Sequence, residues 1–401
     1  MIRLIPPAGT PIKLSELISI LFSRLFKTIK EEDVNHTLTG YFNNAHYFFL
    51  NSGRAAMTMA LKALQKKARA NKIEIIIPAY TCYSVASSII RAGCKIRSVD
   101  IDPQTLDYDY AQMEMQDMTD VLAIIGCNLF GVLNNWDKLQ TLARDNNLYL
   151  IDDAAQSMGE RYGGKPSGTL GDIGLYSLGR GKNLTTYSGG VLTTNDTDLA
   201  DIINDEMNRL LSDSIFTEFK IFIKMLLYIV FIRPSLYWIP SSLPFLGIGE
   251  TVFETDFSMS RLSRFQLQAL NRLIHNLDQY RQDRQRISSL LMDGINQLDH
   301  ISVPGSDSEY LPAFIRLPLI VKNSELRDKL IKRLCDEGIT STVYYPSKIN
   351  DIPGIENYLV ENKSDCLGAD YIVEHLLTLP TNFGVKDKDI ETVITILRQV
   401  E

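Results

Sequence analysis

The stretch that most constrains this chain runs from Leu148 to Thr194, LYLIDDAAQSMGERYGGKPSGTLGDIGLYSLGRGKNLTTYSGGVLTT. It opens on an apolar run, Leu148 to Ile151, followed directly by Asp152 and Asp153. Such a run reads as a buried strand. It delivers carboxylates at its C-terminal edge, where ligands bind in parallel α/β sheets. About thirty residues on, Lys182 stands among small and polar residues: Gly179, Gly181, Asn183, Thr185, Thr186 and Ser188-Gly189-Gly190. Glycines on both sides let the backbone approach a ligand closely and let the amine point at it.

An acid at a strand end and a lysine in a tight turn suit pyridoxal phosphate. The lysine forms a Schiff base with the aldehyde, and the carboxylate keeps the pyridine nitrogen protonated so that the ring accepts electrons. Spacing alone leaves two plainer readings open: a solvated surface lysine, and an aspartate that only caps a helix.

At 401 residues the chain predicts two lobes with ample core. A hydrophobic content of 45% and a charged content of 22% are ordinary for a folded enzyme. The net charge of −7 argues against nucleic acid as a partner. Cys82, Cys94, Cys127, Cys335 and Cys366 show no pairing or metal-ligand spacing, which fits reduced thiols in a cytoplasm. The five histidines form no ligand constellation, so no metal is expected.

Strands alternate with helices along the chain. Tyr47 to Leu50 reads as a strand leading into Asn51-Ser52-Gly53-Arg54 and a helix from Ala55 to Ala68. Serine and glycine at a helix start are either an ordinary N-cap or a phosphate site, since free N–H groups and the helix dipole attract anions. Further strands are predicted at Ile73 to Ile77, Lys95 to Ile101, Val121 to Cys127, Ala313 to Val321 and Thr342 to Tyr345. Helices are predicted to end at Arg91 and to cover Trp136 to Asp145, Ser324 to Glu337 and Asp387 to Gln399. A long amphipathic helix is expected to follow the segment Gln266 to Leu277 and to reach about Leu298. Right-handed βαβ units and a mainly parallel sheet follow from this order. The expected organisation is an N-terminal helical segment over 1–40, a large domain over 41–255 and a small α/β domain over 256–401.

Two stretches carry surplus apolar residues. Leu14 to Phe26 repeats them at helical spacing and reads as a helix on the body, or as contact with a membrane or partner. The second lies in an insert at about 213–250. Phe216 to Ile248 is apolar nearly all round, although its longest apolar run, Met225 to Ile232, is too short to span a bilayer. It reads as a buried insert or dimer contact, or as a patch resting on a membrane surface with Tyr237 and Trp238 at the interface.

The central stretch resembles the signature of the DegT/DnrJ/EryC1/StrS aminotransferases, the sugar aminotransferase group of the fold type I pyridoxal phosphate enzymes. The shared pattern is D-D-A-A-Q from Asp152, G-x-x-x-G-x-x-G-D ending at Asp172, a serine beside an aromatic, Ser177, then K-N-L-T-T from Lys182, and G-G at Gly189. Weaker likeness extends over most of the chain, including G-I-x-x-x-x-x-Y-P from Gly338.

The resemblance implies a large domain with a mainly parallel central sheet plus a smaller C-terminal α/β domain. It gives Lys182 the Schiff-base role and Asp153 the pyridine nitrogen. Gln156 matches the position that touches the phenolic oxygen, and Ser177 and Ser52-Gly53 match the phosphate positions. Arg54 stands where threonine is common, and either adds a phosphate contact or points away. The aromatic that stacks on the ring falls by register at Cys82, so Tyr80 or Tyr83 would stack instead. Met259 replaces an asparagine that reaches the partner subunit's cofactor, whereas Arg261 matches. In related dehydratases a histidine replaces the lysine, so Lys182 implies transamination.

The activity implied is transfer of an amino group, glutamate being the expected donor, to a nucleotide-linked keto-sugar for polysaccharide synthesis. The enzyme would be a cytoplasmic homodimer, with peripheral membrane contact through 216–248 as an open alternative. Two other readings stay open. One is a pyridoxal phosphate enzyme acting on a lipid-linked or non-sugar ketone at the membrane surface. The other is a relative that binds or regulates without turnover.

Overall fold

The chain is described from a computed structural model over residues 3–27, 29–68, 71–211, 214–243, 247, 249, 251–306, 310–360 and 365–399. Residues 213, 244–246, 248 and 250 of the apolar insert lie outside these. The strands, in chain order, are β1 (His46–Leu50), β2 (Glu74–Pro78), β3 (Lys95–Val99), β4 (Val121–Cys127), β5 (Tyr149–Asp153), β6 (Arg161–Tyr162), β7 (Lys165–Pro166), β8 (Ile173–Ser177), β9 (Gly190–Thr194), β10 (Ile301–Ser302), β11 (Arg316–Val321) and β12 (Leu376–Pro380).

Among the described residues, seven strands form the main sheet in the order β1-β9-β8-β5-β4-β2-β3. Neighbours run parallel from β8 through β5, β4 and β2 to β3, while β9 is antiparallel to both β8 and β1. Every residue of β2, β4 and β9 is buried, as expected for strands covered on both faces. The helices Gly53–Ala68, Tyr83–Arg91 and Trp136–Asp145 supply the covering apolar faces. The shared direction of β2, β4, β5 and β8 brings four strand ends, at Pro78, Cys127, Asp153 and Ser177, to one edge of the sheet.

A second, antiparallel sheet, β10-β11-β12, packs with the helices Ser324–Asp336 and Leu367–His375, and Asp387–Arg398 packs on Ser324–Asp336. The segment expected as a strand over Thr342 to Tyr345 only touches β12 through the single bridge Thr342 to Thr378. Tyr344 takes a φ of 72°, which ends extended pairing there. The expected long amphipathic helix is Leu277–Ile295, and the 3₁₀ turn Ile274–Asn276 joins it to the preceding helix Arg264–Leu273.

The helix Leu14–Phe26 falls where the apolar spacing puts it. The insert forms the helix Ile215–Phe231, whose Ile221, Met225, Tyr228 and Ile229 are buried. It packs against both Leu14–Phe26 and Arg264–Leu273. Its Phe216, Phe219, Leu227 and Val230 face outward, so the insert is buried on one side only. No helix among the described residues is long and apolar enough to cross a membrane.

Candidate active site

The four gathered strand ends open onto a cavity of about 340 Å³. Asp153 from β5, Ser177 from β8, Cys127 from β4 and Thr81 with Cys82 beyond β2 all line it, together with Lys182. The carboxyl edge of a parallel sheet is where this topology leaves room for a ligand.

One end of the cavity is polar and lacks negative charge. The helix Gly53–Ala68 begins there, with Ser52 accepting from the Ala55 N–H at 3.1 Å. A side chain at Gly53 would place its Cβ 3.2 Å from Ser177 Oγ, so the helix start and Ser177 meet without filler. Gly190 is required for a similar reason, since a Cβ there would lie 2.4 Å from the Ser52 carbonyl. Arg54 lines the cavity too, yet its guanidinium donates to Glu254 at 2.9 Å and lies over the Phe257 ring at 4.9 Å.

Asp153 also lines the cavity, with Asp152 buried beside it in the chain. Asp152 is fully buried and braces the turn after β7, accepting from the N–H groups of Gly168 and Leu170 and from Asn128 Nδ2 at 2.8 Å. Burial pushes its pKa up to about 7, against the pull of those donors. Asp153 faces the cavity and accepts from the Ala155 N–H at 3.0 Å. Its depth raises its pKa, while the Ala155 N–H and the Lys182 ammonium pull it back toward the ionised form. Gln156 is held from three sides. Its Oε1 accepts from the Phe130 N–H and the Tyr344 hydroxyl, and its Nε2 donates to the Tyr345 hydroxyl.

Lys182 sits in a turn fixed from far along the chain. Its N–H donates to the Gly179 carbonyl at 3.3 Å, and Gly181 takes a φ of 79° that glycine adopts freely. Its carbonyl accepts from Thr10 Oγ1 at 2.5 Å and from the buried Arg284 guanidinium at 3.2 Å. Arg284 also donates to Thr10 Oγ1, which ties the N-terminal segment to the turn. Burial lowers the Arg284 pKa to about 10, with nearby tyrosines and acids opposing.

The cavity thus brings together Ser52, Gly53, Arg54, Cys82, Asp153, Gln156, Ser177 and Lys182. Tyr80 stays outside: it is fully buried behind the wall, with its hydroxyl on the Val343 carbonyl and the Tyr345 N–H. Tyr83 likewise turns away to Ser347. Neither aromatic takes the stacking place, where Cys82 remains. Arg261 bonds Glu31, Asn208 and the Met207 carbonyl, and Met259 packs against the core. Thr10, Arg284 and Tyr187 carry no local signal of a role here, although a tyrosine inside the Gly-rich run T-T-Y-S-G-G is visible in the sequence.

A family profile, the DegT/DnrJ/EryC1/StrS aminotransferase family, matches residues 19–223 and 241–398. The chain belongs to this family. It is 28% identical over 364 residues to GDP-perosamine synthase from Caulobacter vibrioides, which covers 88% of this chain and 85% of that protein. Its fold matches that of Helicobacter pylori PseC, an aminotransferase involved in the biosynthesis of pseudoaminic acid. The TM-score is 0.80 at 14% identity, and 99% of each chain is covered. It also matches the Escherichia coli GDP-4-keto-6-deoxy-D-mannose-3-dehydratase with bound hydrated pyridoxal phosphate, with a TM-score of 0.78 at 19% identity over 99% of this chain and 100% of that one. The architecture is that of a fold type I aminotransferase.

Pyridoxal phosphate is the family's cofactor, and the residues present fit it. Helix N–H groups and two serines line the cavity together with a carboxylate and an amine. The tight meeting of Gly53 with Ser177 leaves the phosphate end open where a Cβ would intrude.

Proposed function

We propose that the enzyme moves an amino group from an amino acid, glutamate being the expected donor, to a keto-sugar carried on a nucleotide, for polysaccharide or surface glycan synthesis. The observation that carries this is the placing of Lys182 and Asp153 on one cavity with the Ser52-Gly53 helix start and Ser177. The sugar-nucleotide activity of the relative from Caulobacter supports the acceptor class.

When bound, pyridoxal phosphate supplies an electrophilic aldehyde and an electron-accepting ring. Ser52, the amides at Gly53 and Ser177 would hold its phosphate, where the helix dipole favours an anion. Asp153, whose pKa burial raises while the Ala155 N–H and the Lys182 ammonium oppose, would pair with the pyridine nitrogen and favour its protonated form. Gln156 is already fixed by Phe130, Tyr344 and Tyr345, so it presents its amide without paying to order it. Lys182, as a free amine, takes the proton from the donor's Cα and returns one at the acceptor's former keto carbon. The brace from Thr10 and Arg284 fixes the backbone that carries it.

We also propose a cytoplasmic homodimer. The outward apolar side chains of Leu14–Phe26 and Ile215–Phe231 support a second subunit as their cover. Sedimentation as a monomer, together with pelleting on anionic vesicles, would replace that reading with a membrane-resting one.

The test of function is incubation of the purified enzyme with glutamate and nucleotide-linked keto-sugars, followed by mass spectrometry. Appearance of an amino-sugar together with 2-oxoglutarate is expected. Water loss from the sugar without amination would contradict the proposal.

A further inference from the structure

Beside the first cavity lies a second, of about 600 Å³, and Arg180 and Tyr187 line both. Lys224, Leu227, Phe231 and Arg316 line it as well. Tyr187, at the border, holds a φ of 74°, in the left-handed region that favours glycine. This second cavity continues the active site. A separate groove, of about 190 Å³, shares no lining residue with either.

The groove lies between the helices Leu14–Phe26 and Arg264–Leu273, which pack side by side. Ser19 and Ser23, one turn apart, line it from the first helix. Gln268, Asn271 and Arg272 line it from the second, and His275 from the turn Ile274–Asn276 that follows. The helical spacing of 268, 271, 272 and 275 puts them on one face. Ser19 and Ser23 lie beside, not on, the outward apolar stripe of Leu14, Ile18 and Leu25.

Each polar group in the groove is left with a donor to offer. The hydroxyls of Ser19 and Ser23 and the guanidinium of Arg272 have no partner among the described residues. Asn271 Oδ1 accepts from Thr37 Oγ1 at 2.8 Å, so its Nδ2 is the end left over. Gln268 Oε1 is sealed from solvent, so any contact Gln268 makes in the groove is through Nε2. His275 Nδ1 pairs with the Tyr41 hydroxyl at 2.9 Å. With that hydroxyl as donor, Nε2 carries the proton of the neutral ring. Among the described residues lining the groove there is no aspartate or glutamate. Glu16, on the first helix, is turned onto the Lys13 N–H and Asn276 Nδ2. In a chain of net charge −7, converging donors beside an arginine and a histidine suit an anion.

We propose that this groove is a binding site for a phosphoryl group, either free phosphate or the head of a phosphate monoester, apart from the catalytic cavity. A phosphoryl group offers three strong acceptor oxygens, enough to take donors from both helices, whereas a carboxylate offers two. The Arg272 fork matches two of those oxygens at once. Once bound, the group would bridge Leu14–Phe26 to Arg264–Leu273.

The test uses the holoenzyme, so that the cofactor fills its own phosphate position. With ¹³C in the histidine rings, NMR follows the five histidines at fixed pH while inorganic phosphate or glycerol phosphate is added. His275→Gln identifies the His275 signal. No other histidine lines the groove, and none lines the two larger cavities among the described residues. Saturable movement of the His275 signal is expected, while sodium chloride at matched ionic strength leaves it in place. Glycerol phosphate as the tighter ligand would mark a monoester, and inorganic phosphate the free ion. Arg272→Gln removes an exposed charge, and Asn271→Asp keeps the acceptor for Thr37 while replacing the donors with a carboxylate. Each should weaken binding about tenfold or more and leave the other histidine signals in place. A His275 signal that does not move would overturn the proposal. So would movement reproduced by sodium chloride, acetate binding as tightly as glycerol phosphate, or binding that Arg272→Gln leaves unchanged.

Discussion

The two cavities that meet at Tyr187 are built by opposite means. The first is made largely by backbone: four strand ends, a helix start, and glycines at 53, 181 and 190 that admit close approach. The second is made by side chains, from a helix with an apolar outer face and from cations without carboxylate partners. Backbone geometry cannot be altered piecemeal, so the first site constrains its sequence tightly. A side-chain wall can be rewritten residue by residue. The difference teaches that the first cavity's form is written into the fold, whereas the second cavity's lining is written onto it.

The strongest way to break this comparison is at Lys182. Lys182→Ala should lower kcat by about 10³-fold or more, because no other amine lines the first cavity among the described residues. Steady-state assay checks it, and a loss below tenfold would move the proton carrier elsewhere. Next comes the backbone itself. A Cβ at Gly174 would lie 1.7 Å from the Gly168 carbonyl, so Gly174→Ala should cost about 3 kcal/mol or more in urea unfolding. Leu227→Ala in the second wall, 49% exposed, should cost under about 1 kcal/mol. Equal costs would erase the contrast.

A smaller effect concerns Glu160, fully buried and accepting from the Ala313 N–H at 2.9 Å. Burial raises its pKa from 4.5 to about 7, against Ala313, Arg281 and Arg284. Its folded-state pKa lies above its unfolded value, so the stability this gives is present at low pH. That stability is lost as pH rises from 4.5 through about 7. Glu160→Gln keeps the acceptor and should flatten this slope by on the order of 2 kcal/mol, read by unfolding across the window. An unchanged slope would assign it to other groups. The smallest effect is at the border. Tyr187→Gly relieves the left-handed strain and should leave stability within about 1 kcal/mol. It should lower kcat/KM for the acceptor while sparing the reaction with glutamate alone. Equal loss in both would place Tyr187 in the first site only.

Much of the first site is legible in the sequence because its signals are local. An apolar run ending in Asp152-Asp153, a serine and glycine before a helix, and a lysine between glycines each report their own geometry. Strand Val121–Cys127 and helices Leu14–Phe26 and Trp136–Asp145 fall where periodicity puts them. What the sequence does not disclose depends on contacts between distant residues. Thr10 and Arg284 brace Lys182 from 172 and 102 positions away. Tyr80 and Tyr83 flank Cys82 in sequence, but partners at Val343, Tyr345 and Ser347 draw both out of the cavity. Tyr344 breaks an otherwise strand-like run through its own φ. The insert's apolar character is plain in its residues, yet only packing shows which of its faces is buried.

The central claim is that the first cavity is a working pyridoxal phosphate site with Lys182 as its amine. The absorbance spectrum of the purified protein, before and after glutamate and beside Lys182→Ala, tests it most directly. The account predicts a yellow band that bleaches with glutamate and is altered in the variant. A colourless protein that takes up no added pyridoxal phosphate, or a band identical in Lys182→Ala, would contradict it.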